Sequence, residues 1–104
     1  MNIRFIGSEN GLITFKKLLN GKANVSNGAD AKDALIFEIS SLEVLYKIPK
    51  RNFGVPVFFY ITTPNKSVIS NIKEYRISGI LFTPLNSETI MSKLIRSQTQ
   101  DAAV

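Results

Sequence analysis

The chain has 104 residues, of which 44% are hydrophobic and 20% charged, and its formal net charge is +5 at pH 7. This length supports one domain, and the balance of apolar and charged residues is that of a folded globular protein. The sequence contains no histidine and no cysteine, which excludes disulfide bonds, thiolate nucleophiles and the usual general base near neutral pH. We therefore expect no enzymatic activity, no metal site and no cofactor.

Neither a membrane nor a nucleic acid is the expected partner of this chain. The longest apolar stretch, Val55–Ile61, contains a proline and is too short to span a bilayer. The N-terminus lacks the pattern of a signal peptide, so the expected location is cytoplasmic. The thirteen Lys and Arg residues are dispersed, with small clusters only at Lys16-Lys17 and among Lys47, Lys50 and Arg51. Such a surface is typical of soluble domains and does not indicate a dedicated nucleic-acid binder.

The N-terminal part of the sequence predicts two strands and a helix, separated by a weak segment. Ile3–Gly7 alternates as a strand, and Ser8 is placed to cap a helix over residues 9–20. Residues 22–33 have no strong periodicity and support at most a very short strand and one helical turn. The apolar run Ala34–Ile39 is typical of a strand that is buried on both faces.

Predicted strands and helices alternate more regularly in the C-terminal part of the sequence. Ser40 and Glu43 form a capping-box pattern that predicts a short helix, which Pro49 ends. Val55–Ile61 predicts a further buried strand. The remaining predicted elements are a helix beginning near Lys66, a strand over residues 77–82 and a final helix capped by Asn86 or Ser87. The domain is expected to comprise residues 1–97, followed by a flexible polar tail or linker over residues 98–104.

Alternating strands and helices with double-sided apolar strands predict an α/β fold. The leading topology is a three-layer, flavodoxin-like open parallel sheet with helices on both faces, in which the second strand and second helix are shortened or missing. In that case the first strand lies near the sheet edge, and Arg4 in its middle has a route to water.

Three segments carry a spacing that is similar to one known family. They are the strand run Asp33–Ile39, the Val-Pro-Val start of the run Val55–Thr62, and the Thr-Pro turn that ends Gly79–Leu85. With these features the chain resembles the receiver domain of response regulators, the phosphoacceptor module of two-component signalling. The resemblance extends over nearly the whole chain.

The resemblance also implies that the phosphoacceptor site is degenerate. Glu38 falls where the family has its acceptor aspartate, and Thr83 replaces its lysine. Receiver chemistry needs Mg²⁺ held by oxygen ligands and a cation for the developing charge. Glu38 is either a mimic of the phosphorylated acceptor or a solvated acid at a strand end. The positions that the resemblance assigns to the degenerate site are Gly7 and Ser8 in place of the paired magnesium-binding acids, Glu9, Glu38, Ile61 and Thr62 at the switch hydroxyl, and Thr83.

A pseudo-receiver that has lost its chemistry is expected to act as an interaction module. In the family, the face made by the fourth helix, fifth strand and fifth helix mediates dimerisation or docking, and here it would contain Lys73, Arg76, Ile80, Lys93 and Arg96. We expect a phosphorylation-independent signalling domain that binds a protein partner, itself or an output domain.

Two alternatives remain open from the sequence. The first is a nucleotide or phosphorylated ligand at the carboxyl ends of the strands, because Gly7–Gly11 offers backbone donors at a helix start. The second is weak nucleic-acid binding through the basic surface.

Overall fold

The structure is a computed structural model that describes residues 1–29 and 33–103, with side chains as far as residue 98. The predicted helical turn over 29–32 lies almost wholly outside these residues. The elements are, in chain order, β1 (Asn2–Ile6), α1 (Glu9–Leu18), β2 (Asn24–Ser26), β3 (Ala34–Ile39), α2 (Leu42–Tyr46), β4 (Val57–Ile61), α3 (Lys66–Ile72), β5 (Gly79–Phe82) and α4 (Ser87–Ala103).

The five strands form one parallel sheet in the order β2-β1-β3-β4-β5. Glu38 of β3 lies opposite Tyr60 of β4 in the register of the sheet. The arrangement confirms the predicted flavodoxin-like α/β class. The strand order reverses between β1 and β3, which is where open α/β sheets place a crevice at the carboxyl ends of their strands.

Each face of the sheet has its own hydrophobic core. On one face α1 and α4 pack on the sheet, with Phe15 and Leu94 fully buried against it. On the other face α2 and α3 pack on β3 and β4, where Leu45 and Val68 are buried. The double-sided burial explains why the central strands read as near-continuous apolar runs.

One face of β1 and β2, the face that points away from α1, has no covering helix among the described residues. The described part of the link from β2 to β3 contains no helix. Most strand residues on this face are polar: Asn24 donates a hydrogen bond to Asn2 (3.2 Å), and Arg4 lies opposite Ser26. The Nε of Arg4 is buried without a hydrogen-bond partner among the described residues. This face of the two strands therefore differs from the apolar faces of the central strands.

Two local predictions need correction. The N-cap of α2 is Ser41, whose hydroxyl accepts a hydrogen bond from the amide of Val44 (3.3 Å), because the chain stays extended through Ser40 before the helix begins. The helical backbone of α4 continues to Ala103, so the segment expected to be an irregular tail is helical over residues 98–103. Gln98 donates to the backbone carbonyl of Asp33 (2.7 Å), which ties the start of that segment to the domain.

Candidate functional site

The predicted site residues Gly7, Ser8 and Glu38 meet at the carboxyl end of the sheet. Gly7 and Ser8 follow β1, Glu38 is the penultimate residue of β3, and the two strands are neighbours. Ser8 has an extended backbone and caps α1, its hydroxyl accepting a hydrogen bond from the amide of Gly11 (3.0 Å). This confirms Ser8 as the cap predicted from the sequence.

The carboxylate of Glu38 is held by Ser8 through both of its oxygens. The amide of Ser8 donates to Oε1 (2.8 Å), and the hydroxyl of Ser8 donates to Oε2 (3.1 Å). The donors therefore form a chain from the Gly11 amide through the Ser8 hydroxyl to the Glu38 carboxylate. A negative group at the amino end of a helix is also stabilised by the helix dipole. Glu38 is thus a hydrogen-bonded, half-buried acid rather than a solvated side chain at a strand end.

The glycines on either side of Ser8 make room for this carboxylate. A Cβ atom at Gly7 would lie 2.5 Å from Cβ and 2.9 Å from Oε1 of Glu38. A Cβ atom at Gly11 would overlap Oε2 of Glu38 and lie 2.7 Å from Cζ of Phe5. Gly7 therefore stands where no side chain fits while Glu38 keeps this position, and an acid there would be excluded by volume as well as by charge.

Tyr60 lies beside Glu38 on the adjacent strand and is 8% exposed. Burial raises the pKa of the Tyr60 phenol, and the negative charge of Glu38 raises it further. The ring of Tyr60 packs edge to face on Phe15 at 5.2 Å between centroids. Since both effects favour the neutral phenol, Tyr60 is suited to packing and not to proton transfer near neutral pH.

The other predicted site residues take no part in the hydrogen bonds between Ser8 and Glu38. Ile61 is fully buried in the core under α2 and α3. Thr62 directs its amide and its hydroxyl to the backbone carbonyl of Ile39, at 3.1 and 3.3 Å. Thr83 is exposed after β5, which is separated from β3 by β4, and it precedes Pro84 through a cis peptide bond.

The α3 helix is capped by Asn65, not by a threonine of the preceding loop. The side chain of Asn65 accepts from the amide of Val68 (2.9 Å). Thr62 instead reinforces the end of the sheet through its hydrogen bonds to Ile39. Its hydroxyl is therefore occupied within the fold.

The space beside the Ser8–Glu38 pair is an open cavity of about 290 Å³. Its described lining includes the exposed acid Glu9 and Asn27, and no lysine or arginine. A phosphate entering it would meet no counter-charge from these residues, and the Ser8 amide is already bound to Glu38. Within residues 1–29 and 33–103, no three potential metal-ligating side chains lie together. The hydrogen bonds of Ser8 at this end of the sheet therefore cap α1 and hold Glu38.

The predicted interface residues lie on α4, on β5 and around the end of α3. Lys73, Arg76 and Arg96 are exposed, and Ile80 is half-buried. Lys93 was expected to be exposed, but its Nζ donates to the backbone carbonyl of Ile80 (2.8 Å) and its side chain is half-buried. The reason is that β5 is an edge strand, and Lys93 satisfies a carbonyl that no neighbouring strand can reach.

Three large apolar side chains are exposed on the same three elements. The exposed fractions are 42% for Ile69, 43% for Phe82 and 55% for Ile95. The helical spacing of apolar residues in the sequence predicts that Ile69 and Ile95 are buried in the apolar stripes of their helices, whereas the structure exposes both. Val68 with Ile72, and Ile90 with Leu94, already fill those stripes at a spacing of four, which was the available signal that the adjacent isoleucines face outward. We call Ile69, Phe82, Ile95, Lys73, Arg76 and Arg96 the edge surface.

The fold is similar to that of a crystal structure from Burkholderia pseudomallei, a protein provisionally described as pilus assembly-related. The TM-score is 0.67 at 15% sequence identity, and the alignment covers 94% of this chain and 88% of that one. No protein-family model matches the chain, and no curated protein matches it in sequence. At this identity the similarity shows the fold alone. In the described part of the chain, every helix is too short or too polar to cross a bilayer.

Proposed function

We propose that this chain is a receiver-like interaction domain that works without phosphorylation and binds a protein partner through the edge surface. The observation that carries the proposal is the double hydrogen bond from Ser8 to Glu38. In place of an acceptor beside a metal site, this position holds a carboxylate that is hydrogen-bonded to the amino end of α1. The site that would switch a receiver is used here as part of the scaffold.

The edge surface is the part of the scaffold that we propose for partner binding. Its apolar members are large side chains left in water beside exposed cations, a combination that is typical of protein interfaces. Burying one such isoleucine or phenylalanine against a partner stabilises a complex by about 1 to 2 kcal/mol at their present exposure. The similar Burkholderia protein is described as related to pilus assembly, which is compatible with a role in assembling proteins.

The two alternatives are less well supported by the geometry. A nucleotide or phosphorylated ligand at the carboxyl ends would have to displace Glu38 from Ser8 and would meet no cation in the adjoining cavity. Nucleic-acid binding requires a row of cations that follows a phosphate backbone. The lysines and arginines of the described chain are instead spread over separate elements.

The loss of phosphorylation is tested by amide NMR with Mg²⁺ and beryllofluoride, which imitates the phosphorylated acceptor. We expect no response at the amides of Glu38, Thr62 and Thr83. The matched control is Glu38→Asp, which restores the acceptor of the family but neither the magnesium-binding acids nor the lysine, and we expect it to be equally silent. A coordinated shift of these amides in either protein would contradict the proposal.

The interaction itself is tested by placing a photo-crosslinking amino acid at single positions in the native cell. Positions 69 and 82 lie on the edge surface, whereas Ile13 is equally exposed on α1 and serves as the control. We expect a discrete crosslinked species from positions 69 and 82 and none from position 13. Absence of such a species from both edge-surface positions would refute the proposed surface.

A further inference from the structure

A polar groove runs along the amino ends of β4 and β5, at the opposite end of the sheet from Glu38. It consists of two adjoining cavities of about 490 and 210 Å³, which share Ser78 in their walls. Arg76 lines the larger cavity, and Arg96 lines the smaller one. We call this feature the amino-end groove.

Among the residues whose side chains the structure describes, the charges of the amino-end groove are all positive. None of them that lines either cavity is a carboxylate, and Arg76 and Arg96 take part in no ion pair within this part of the chain. The acid nearest to Arg76 in the sequence, Glu74, is bound to Lys50. Lys93 also borders the smaller cavity, but its ammonium group is bound to the carbonyl of Ile80. Two guanidinium groups are therefore left to bind an anion from outside the chain.

The walls of the larger cavity are partly apolar. Val55, Pro56 and Ile77 line the larger cavity beside Arg76, with Val55 and Ile77 only half-buried. A cavity of this size accommodates one apolar side chain together with flanking polar groups. Guanidinium groups bind carboxylates in a two-pronged geometry that a single ammonium cannot give.

We propose that the amino-end groove binds an acidic segment of a partner protein, in which an apolar residue is flanked by carboxylates that pair with Arg76 and Arg96. The inference rests on the proposed interaction function and adds the chemistry of the partner. A second copy of the chain is a poor occupant, because its formal charge of +5 repels an equal charge. A nucleic acid is a poor occupant too, since two free cations neutralise only a small part of its regularly spaced phosphates.

The test is a titration of the full chain with a short acidic peptide, followed by amide NMR. The probe is acetyl-Glu-Asp-Leu-Asp-Glu-amide, and its neutral match is acetyl-Gln-Asn-Leu-Asn-Gln-amide. We expect the acidic peptide to shift the amides of Ser78, Gly79 and Ile77 and to bind less tightly as salt rises. Each of Arg76→Gln and Arg96→Gln should weaken binding about two- to fivefold, the range for an exposed ion pair.

The control for net charge is Lys16→Gln/Lys17→Gln, which removes two exposed cations from α1 without touching the groove. We expect it to leave the peptide affinity within experimental error. Equal weakening by the lysine control, shifts confined to another surface, or no shifts up to millimolar peptide would each overturn the inference. None of these results would touch the crosslinking test at positions 69 and 82, so failure of the groove and failure of the proposed function are distinguishable.

Discussion

The substitution Glu38→Gln tests whether the Glu38 carboxylate stabilises the fold or is a strained group that is kept for function. In Glu38→Gln the side chain keeps its volume, but the charge at the amino end of α1 is lost, and an amide nitrogen or a neutral oxygen now faces the two donors of Ser8. Hydrogen bonds to charged groups contribute about 1.5 to 3 kcal/mol and neutral ones about 0.5 to 1.5 kcal/mol. A charge at a helix terminus contributes about 0.3 to 1 kcal/mol.

These contributions are reduced because both hydrogen bonds are open to solvent. We therefore expect Glu38→Gln to lower the free energy of unfolding by about 1 to 2 kcal/mol. The assay is urea denaturation at neutral pH followed by circular dichroism, with the dependence on urea concentration unchanged. Glu9→Gln is the matched control. It also removes one negative charge near the amino end of α1, but it leaves the hydrogen bonds between Ser8 and Glu38 in place.

The loss in Glu38→Gln must exceed the loss in Glu9→Gln. A double-mutant cycle with Ser8→Ala should give a coupling energy of at least about 0.5 kcal/mol, since the two residues are in direct contact. If Glu38 were instead a strained acid kept for function, its neutralisation would stabilise the fold. An unchanged or increased stability of Glu38→Gln would therefore refute the structural interpretation of this carboxylate.

Three further predictions follow from single contacts. Gly11→Ala should lower the free energy of unfolding by about 1 to 3 kcal/mol in urea denaturation, despite the better helix propensity of alanine, because its Cβ would overlap the Glu38 carboxylate; a gain would contradict this. Tyr75→Phe should cost about 0.5 to 1.5 kcal/mol in the same assay, since it removes the 2.7 Å hydrogen bond from the phenol to the Leu45 carbonyl, which keeps the amide of Ile48 as a donor (3.1 Å); an unchanged midpoint would be the opposing result. The raised pKa of Tyr60 means that the folded chain keeps a proton which the unfolded chain loses, so stability should fall as the pH rises above 10, and Tyr60→Phe should reduce that fall in denaturation curves across this range.

The sheet was predictable because its signals are local. Nearly all residues are apolar in the runs Ala34–Ile39 and Val57–Ile61, and this composition predicts burial on both faces. Pro56 directly precedes the second strand. The helix starts were nearly as clear. The α2 cap moved by one residue, from Ser40 to Ser41, because either serine can accept a helix amide and only the end of β3 decides between them.

The Ser8–Glu38 contact was not predictable in the same way. The two residues are 30 positions apart, and their meeting depends on β1 and β3 becoming neighbours in the sheet. The sequence alone predicts Glu38 to be either a phosphate mimic or a solvated acid, because nothing near it in the chain indicates a hydrogen bond to Ser8. The available signal was the pair of glycines that flank Ser8, since two positions without side chains beside a cap indicate that another group approaches closely.

The residues around Glu38 and those on the open face of β1 and β2 form two connected sets. Gly7 and Gly11 provide the space that Glu38 occupies, and Ser8 provides the donors that hold it, so restoring one acid at position 7 would conflict with the carboxylate already present. At the sheet edge, the uncovered face of β1 and β2 carries polar side chains, including Asn2 and Asn24. The polar side chains of this strand face hydrogen-bond to one another, and Ser8 holds the carboxylate of Glu38 at the amino end of α1. Both arrangements are internally consistent parts of the scaffold, which supports the proposal that the domain acts through its surface.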